Sequence, residues 1–226
     1  MEGRNLLLDP IDNEHVALLY ENRDELDSAV SLYLNEGLRK GQLCVYATIR
    51  FRDEGYIERF SSTIVNYKEN VENGNLVIVD LAPLYISALV GNMEPFEKAK
   101  DLFLEMAKGR LNKHVRFVGD GTGFLFENKH FDECAMVEEW WQGRPFEGSY
   151  LCPFSKKSLE CFPHYMYSKN AVVDTHDLVV DASGKDQLEN ISTNRESNNR
   201  QQQLHSHVAI QGYNNNVKPV QDGGAS

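Results

Sequence analysis

Two aspartates in this sequence directly follow apolar segments that favour β-strands. Asp80 ends Leu76-Val-Ile-Val-Asp80, and Asp120 comes after His114-Val-Arg-Phe-Val-Gly119. A pair of carboxylates at one edge of a sheet could perform acid–base catalysis on a small metabolite. Aspartates at strand ends also commonly cap the next turn, and neither aspartate has a nucleophile or a base beside it in sequence. Catalysis and capping therefore both stay open as roles for these two residues.

A glycine-rich segment, Gly119-Asp-Gly-Thr-Gly123, follows the second of these apolar segments, as glycine-rich binding loops do. It lacks the G-x-G-x-x-G spacing of dinucleotide-binding loops and continues into apolar Phe124-Leu-Phe126, so dinucleotide binding is disfavoured. One interpretation is a sharp exit from the strand, in which glycine supplies backbone dihedrals that other residues avoid. The other interpretation places the aspartate and the threonine of the segment in a sensory pocket with Tyr20 and Asp80.

Cysteine and histidine side chains in the later part of the chain could bind a metal ion. The candidate set has the spacing C-x8-C-x2-H-x11-H and consists of Cys152, Cys161, His164 and His176. Structural zinc sites usually contain two cysteines that lie two to four residues apart, and this set has no such pair. We therefore predict neither a metal site nor a cofactor. Small core residues are the expected role of Cys44, Cys134 and Cys152.

Predicted strands and helices alternate along the first 180 residues and would position all of these side chains. The expected strands are His15–Tyr20, Leu43–Ile49, Leu76–Leu81, His114–Val118 and Tyr150–Phe154, with a weaker candidate in Val172–Val180. Helical spacing of apolar residues predicts helices after Asn22, over Tyr56–Val71, from Glu94 towards Leu111, over Phe131–Trp141 and, more weakly, over Leu159–Tyr167. Strands that are apolar throughout are typical of a parallel sheet with helices on both faces. We predict a three-layer α/β sandwich that binds ligands at the carboxyl ends of its strands.

The segment after the first strand lacks the residues that bind phosphate in ATPases. A phosphate loop needs G-x-x-x-x-G-K-[ST], because glycines let backbone N–H groups approach the phosphates and lysine neutralises their charge. Tyr20–Ser28 contains neither glycine nor lysine, and its four carboxylates and one arginine leave a net charge of −3. Asn22 and Glu25 instead have the spacing of a helix capping box. ATP hydrolysis is therefore disfavoured.

The whole chain is acidic, with 23 Lys and Arg against 34 Asp and Glu and a formal net charge of −11 in 226 residues. Such a surface repels nucleic acid and anionic membranes, so neither is expected as a partner. Four cysteines and the lack of a signal-peptide pattern indicate a cytoplasmic protein. Residues 181–226 contain 13 Asn and Gln and no apolar periodicity. We predict a folded domain over residues 1–180 and a disordered polar tail over residues 181–226.

Several short motifs occur in an order that is typical of one family. In chain order they are His15, Tyr20, Arg116, Gly119, Glu138 or Glu139, Leu151-Cys-Pro-Phe154 and His176 before Leu178-Val-Val180. In this order they resemble the MEDS domain, the methanogen/methylotroph DcmR-type sensory domain, over roughly residues 12–180. The opening segments Leu18–Glu25, Tyr33–Gly41 and Cys44–Thr48 also resemble KaiC-type, RecA-like ATPase domains. The resemblance implies a RecA-like sandwich that has lost its ATPase chemistry and senses or relays a signal.

The combined prediction is a non-catalytic sensory or signal-relay domain that binds a small organic ligand or a protein partner at the strand carboxyl ends. The candidate ligand-binding residues are His15, Tyr20, Asp80, Tyr85, Arg116, Asp120, Thr122 and His176. The domain is expected to act in signal transduction or transcriptional regulation through a regulator, a kinase or a second copy of itself. Two alternatives remain, a small-metabolite enzyme that uses Asp80 and Asp120, and a protein that binds nucleotides without hydrolysis.

Overall fold

Six parallel strands form one central sheet in the computed structural model, which describes residues 7–142, 147–162, 172 and 175–183. The strands are β1 (Glu14–Tyr20), β2 (Leu43–Thr48), β3 (Leu76–Asp80), β4 (Val115–Gly119), β5 (Gly148–Ser155) and β6 (Leu178–Asp181). Their order across the sheet is β3-β2-β4-β5-β1-β6, and each of these pairings is parallel. Parallel neighbours need crossover connections, and helices supply them here. The predicted parallel sheet is confirmed.

Helices cover both faces of this sheet. They are α1 (Arg23–Arg39), α2 (Tyr56–Ser61), α3 (Tyr67–Glu72), α4 (Ala82–Leu89), α5 (Glu94–Lys108), α6 (Gly121–Glu127), α7 (Phe131–Gln142) and α8 (Lys156–Cys161), with a 3₁₀ turn over Ile49–Arg52. Buried side chains of α1 and α2 pack in one apolar cluster, whereas those of α4 to α7 pack in another on the opposite face. The predicted three-layer α/β sandwich is therefore confirmed.

The strand β2 illustrates why the central strands are mostly apolar. Its six residues are all buried. Leu43, Val45 and Ala47 belong to the cluster on the α4–α7 face, whereas Cys44 and Tyr46 belong to the cluster on the α1 face. Successive side chains of a strand point to opposite faces, so a strand covered on both sides needs an apolar residue at each position.

The segment predicted as one helix over Tyr56–Val71 is instead two short helices, α2 and α3. The hydroxyls of Ser61, Ser62 and Thr63 each donate to the carbonyl oxygen three positions earlier, which gives the backbone an alternative to helical bonding. Asn66 then has a φ of 47°, in the left-handed region that asparagine tolerates better than most residues. The apolar periodicity alone could not reveal this break, because the apolar spacing continues across it.

The glycine-rich segment 119–123 also differs from its predicted form. It does not form an extended loop, since α6 begins at Gly121. None of its three glycines has a positive φ, so the interpretation that they supply unusual dihedrals is wrong. Their role is close packing: a Cβ atom at Gly121 would lie 2.6 Å from Leu81 Cδ2, and one at Gly123 would overlap the backbone carbonyl oxygen of Pro153. The helix α4, between β3 and α5, was not predicted at all.

Two further predictions concern the ends of the chain and membranes. Contacts divide the chain into Met1–Glu189 and Asn190–Ser226, and the described residues all belong to the first unit. The predicted tail lies outside the described residues from position 184 onwards, and β6 extends to Asp181, one residue past the expected domain boundary. Within the described ranges, no helix has both the length and the apolar character needed to cross a bilayer.

Candidate functional site

Four buried polar side chains meet between the sheet and α7. They are His15 at the start of β1, Glu138 in α7, Cys152 in β5 and His176 just before β6. Each of the four residues is between 0 and 5 % exposed. The pairing of β1 with β5 places Ala17 opposite Cys152, so the side chains of His15 and Cys152 point to the same face of the sheet. We call these four residues the polar cluster.

The side chains of the polar cluster contact one another closely. His15 Nε2 lies 3.2 Å from Cys152 Sγ and 3.1 Å from Glu138 Oε2. His176 Nε2 lies 3.3 Å from the same carboxylate oxygen. The two imidazole rings are tilted by 34° with their centroids 3.9 Å apart. One potential ligand atom from each residue lies within 4.8 Å of the other three.

Backbone carbonyl groups orient both histidine rings. His15 Nδ1 lies 3.0 Å from the carbonyl oxygen of Thr175, and His176 Nδ1 lies close to that of Val172 at 2.6 Å. The backbone N–H of Asp177 donates to the carbonyl oxygen of His15, and the Asp177 carboxylate accepts from the His15 N–H. These bonds hold the segment before β6 against β1, although about 160 residues of sequence separate the partners.

Burial is the main influence on the ionisation of His176. Loss of solvation and the neighbouring His15 ring lower the pKa of His176 to about 3, so its imidazole is neutral at pH 7. Burial also raises the pKa of the Cys152 thiol. The polar cluster therefore contains a neutral ring and a thiol beside the carboxylate of Glu138, all within a low-dielectric interior.

An apolar cavity of about 40 Å³ adjoins the polar cluster. It lies between the sheet and helices α4 to α7, and its apolar lining includes Ala47, Leu84, Ala88, Phe103, Phe117 and Trp141. Tyr85, Lys100, Thr122, Tyr150 and Cys152 add polar atoms to the lining. A single water molecule needs roughly 10–15 Å³ on the same measure, so the space suits a molecule of a few heavy atoms. Cys152 belongs to both the cavity and the polar cluster.

The two aspartates at the carboxyl ends of β3 and β4 bind different partners. Asp120 is buried and accepts bonds from Thr48 Oγ1 at 2.6 Å and from the Ile49 N–H at 2.8 Å. Burial raises the pKa of Asp120 to about 6, although these two bonds stabilise its charged form. Asp80 accepts from Arg52 Nε at 2.7 Å and from the Ala82 N–H at the start of α4. Both carboxylates therefore stabilise the turns that follow their strands.

The start of α1 is closed by its own side chains. Asn22 Oδ1 accepts from the Glu25 N–H at 3.0 Å, so the predicted N-cap is confirmed. Glu25 Oε2 accepts from the Glu21 N–H at 2.9 Å, one residue before the N–H that a regular capping box uses. Tyr20 lies beside it and donates from its hydroxyl to Glu127 in α6 at 3.1 Å. An open groove of about 510 Å³ runs along this edge and is lined by Tyr20, Arg23, Glu127 and Lys157 among others.

Arg116 lies on the opposite face of the sheet and is fully buried. Its guanidinium donates to the carbonyl oxygens of Leu7, Leu8 and Tyr33 and to Gln42 Oε1, at distances between 2.7 and 2.9 Å. The same group lies 4.9 Å from the centre of the Tyr33 ring. These contacts give Arg116 a structural role, and it does not line the apolar cavity.

The structure therefore separates the predicted ligand-binding residues into groups. His15 and His176 lie in the polar cluster, Tyr85 and Thr122 line the apolar cavity, and Tyr20 lines the groove. Asp80, Asp120 and Arg116 make the local bonds described above. The prediction omitted Glu138 and considered Cys152 as a core residue or as part of a disfavoured metal set with Cys161, His164 and His176. The family motifs contained a signal for both, and burial decides between the two adjacent glutamates, since Glu138 is buried and Glu139 is exposed.

Solved structures include proteins with a fold similar to that of this chain. No protein of curated function matches the chain. A KaiC-like protein from Pyrococcus horikoshii OT3 is similar with a TM-score of 0.49 and 12 % identity, over 75 % of this chain and 71 % of that one. The flagellar accessory protein FlaH from Methanocaldococcus jannaschii is similar with a TM-score of 0.49 and 11 % identity, over 76 % and 71 %. Neither similarity bears on function.

A protein-family model also matches the chain. The model of the methanogen/methylotroph DcmR sensory domain matches residues 14–160, which is well over half of the chain. The matched range contains β1 to β5 and three of the four residues of the polar cluster. The chain therefore belongs to the MEDS family of sensory domains.

Proposed function

We propose that this chain is a non-catalytic sensor that binds a small, largely apolar organic ligand in the cavity between the sheet and helices α4 to α7. The observation that carries the proposal is the cavity itself, an apolar space with a few polar atoms in its lining. Small-molecule sites have this composition, because apolar walls provide affinity and a few polar groups orient the ligand. Membership of a family of sensory domains supports a sensory role.

The size and lining of the cavity define the class of ligand. The available volume is about 40 Å³, so the ligand has few heavy atoms unless the helices move apart. Tyr85, Thr122 and Tyr150 offer hydroxyl groups, and Cys152 offers a thiol. Lys100 adds an ammonium group that is paired with Glu97. A short-chain molecule with one polar group matches this arrangement, since its apolar part can contact the walls while its polar atom meets one of these groups.

A non-catalytic role is favoured by the bonding of the acidic groups. Asp120 is held by Thr48 and the Ile49 N–H, and Asp80 is held by Arg52 and the Ala82 N–H. A general base must reach the proton that it removes, and these carboxylates are occupied in positioning loops. The enzyme alternative would require both aspartates to leave their present partners.

The helix α4 provides a route from the cavity to a protein partner. Leu84, Tyr85 and Ala88 of this helix line the cavity, whereas Ile86 and Val90 beside them are 62 and 75 % exposed. A ligand that displaces the inner face of α4 also moves these exposed apolar side chains. Movement of these exposed apolar side chains would change the affinity of α4 for a protein partner. We propose that the signal is passed to the partner in this way.

The test is a binding screen on protein purified under native conditions. Thermal shift and native mass spectrometry with a panel of one- to four-carbon alcohols, ketones, amines and thiols should identify a compound that binds with 1:1 stoichiometry. Ala88→Leu fills part of the cavity and should abolish that binding, whereas Ala82→Leu, on the same helix outside the cavity lining, should preserve it. Equal binding to both variants, or turnover of the compound, would contradict the proposal.

A further inference from the structure

We infer that the polar cluster of His15, Glu138, Cys152 and His176 binds a divalent transition-metal ion of the zinc class. The inference goes beyond the proposed function and does not depend on it. It rests on where the hydrogens of the cluster must lie, on the burial of its carboxylate and on the positions of the four potential ligand atoms.

The first step concerns the hydrogens of the two imidazole rings. A carbonyl oxygen can only accept, so the carbonyls of Thr175 and Val172 require a hydrogen on Nδ1 of each ring. A neutral imidazole with its hydrogen on Nδ1 has a bare lone pair on Nε2. Both Nε2 atoms face Oε2 of Glu138, which is itself an acceptor when ionised.

Three hydrogen-bond acceptors, His15 Nε2, His176 Nε2 and Glu138 Oε2, thus face one another with few hydrogens to satisfy them. The Cys152 thiol is the fourth member and brings at most one hydrogen, and the buried Thr122 hydroxyl beside Glu138 and Cys152 brings one more. Among the described residues, no hydrogen bond of normal geometry reaches either carboxylate oxygen of Glu138 or Nε2 of His176. Buried polar atoms are nearly always satisfied, so this convergence calls for a positive charge at its centre. A metal cation would bind a ligand atom of all four residues at once.

Burial of Glu138 strengthens this requirement. The residue is only 2 % exposed, and an ionised carboxylate in an apolar interior is strongly destabilised unless a cation compensates it. Lone pairs of neutral imidazoles, one thiol and the neutral hydroxyl of Thr122 provide no compensating positive charge. A divalent ion bound to the carboxylate and a thiolate would leave the site electrically neutral.

The positions of the four groups fit a tetrahedral site. Metal–ligand bonds of about 2.0–2.3 Å place tetrahedral donors roughly 3.3–3.8 Å apart. The observed separations begin at 3.1 Å and reach 4.8 Å, so small side-chain rotations would complete the geometry. The carbonyls that hold Nδ1 of both rings are also the usual outer partners of metal-binding histidines.

The donor types select the kind of metal. Two imidazole nitrogens, one sulfur and one carboxylate oxygen suit zinc and similar transition metals, whereas calcium and magnesium prefer oxygen alone. The ligands come from β1, α7, β5 and the segment before β6, so a bound ion would join four separate parts of the fold. Because Cys152 also lines the apolar cavity, the ion would lie at the wall of that cavity.

The experiment uses the full chain after exhaustive dialysis against a chelator, followed by titration with Zn²⁺ and with Co²⁺. Calorimetry should show one tight Zn²⁺ site per chain. Co²⁺ should produce the visible bands of a tetrahedral site and a thiolate-to-cobalt charge-transfer band in the near ultraviolet. The double variant His205→Ala/His207→Ala should behave like the wild type, which excludes binding by the two histidines near the carboxyl terminus.

Cysteine variants assign the sulfur ligand. Cys152→Ser should lose the charge-transfer band and weaken metal binding by at least about 100-fold. Mutating a residue that only orients a metal ligand already weakens binding by about 10- to 100-fold, so removing a ligand should weaken it at least as much. Cys44→Ser alters a buried cysteine in the apolar cluster on the α1 face of the sheet, opposite the proposed ligands, and should leave the charge-transfer band unchanged.

The wild-type titration decides the question even if Cys152→Ser fails to fold. A folded wild type without a stoichiometric Zn²⁺ site would overturn the inference and leave a proton-mediated cluster as the explanation. Co²⁺ binding without a thiolate band, or with a band that persists in Cys152→Ser, would also overturn it.

Discussion

Gly123 of α6 packs directly against the backbone carbonyl group of Pro153 in β5. The carbonyl carbon of Pro153 lies only 3.3 Å from the position that a Cβ atom would occupy, and the carbonyl oxygen is closer still. This contact brings α6 onto the sheet next to Cys152. The neighbouring residue Thr122 consequently lines the same cavity as Cys152, so the packing of one glycine helps to build the candidate site.

Replacing Gly123 with alanine should therefore destabilise the fold. The added methyl group meets backbone that cannot rotate away, so we expect a loss of about 1–3 kcal/mol or more in the free energy of unfolding. Gly109→Ala is the matched control, because a Cβ atom there would have no neighbour within 4 Å and the residue has a φ of −80°. Urea denaturation measures both, and equal stability of the two variants would contradict the packing role.

Arg116 should contribute strongly to stability. Arg116→Met retains an unbranched apolar side chain but leaves the carbonyls of Leu7 and Tyr33 without their buried donor. We expect a loss of about 3–5 kcal/mol. Arg39→Met removes an exposed arginine paired with Glu36 and should cost no more than about 0.5 kcal/mol. If ligand binding rather than stability changed in Arg116→Met, Arg116 would have the ligand-binding role that the family resemblance suggested.

Asp120 should make stability depend on pH. Its pKa is about 6 in the folded state against 3.8 for an ordinary aspartate, so the folded state binds more protons between these values. The contribution of Asp120 to the free energy of unfolding should accordingly be greatest below pH 4. It should fall by up to about 3 kcal/mol as the pH rises through 6.

The variant Asp120→Asn isolates this contribution. Unfolding free energies measured from pH 4 to pH 7 should decline less steeply for Asp120→Asn than for the wild type, even if the variant is less stable overall. Asp101→Asn, at an exposed position in α5, serves as the control and should retain the wild-type slope. A slope that is identical in Asp120→Asn and the wild type would mean that the carboxyl group is not perturbed.

Nucleotides should not bind at the start of α1. The Glu25 N–H is already bonded to Asn22, and four carboxylates lie within Tyr20–Ser28. Neither ATP nor ADP, with or without Mg²⁺, should raise the melting temperature of the protein. A saturable stabilisation that disappears in Arg23→Ala would instead support the nucleotide-binding alternative.

The sequence by itself determined the local features of this protein. The apolar character of the strands predicted a parallel sheet covered on both faces, and the spacing of Asn22 and Glu25 predicted the N-cap of α1. These predictions succeed because they depend on interactions within a few residues or on burial averaged over a segment. The division of Tyr56–Val71 was not predicted, since the left-handed Asn66 and the three preceding hydroxyl groups interrupt a helix whose apolar spacing continues.

Only the tertiary structure decided which polar residues meet. His15 and His176 are 161 positions apart, and no spacing rule connects them. Their contact arises because β6 pairs with β1 and brings His176, two residues before β6, to the start of β1. The packing of α7 likewise decides that Glu138, and not Glu139, is buried beside them. The order of the strands across the sheet, which the local pattern does not encode, thus assembles the polar cluster from distant parts of the chain.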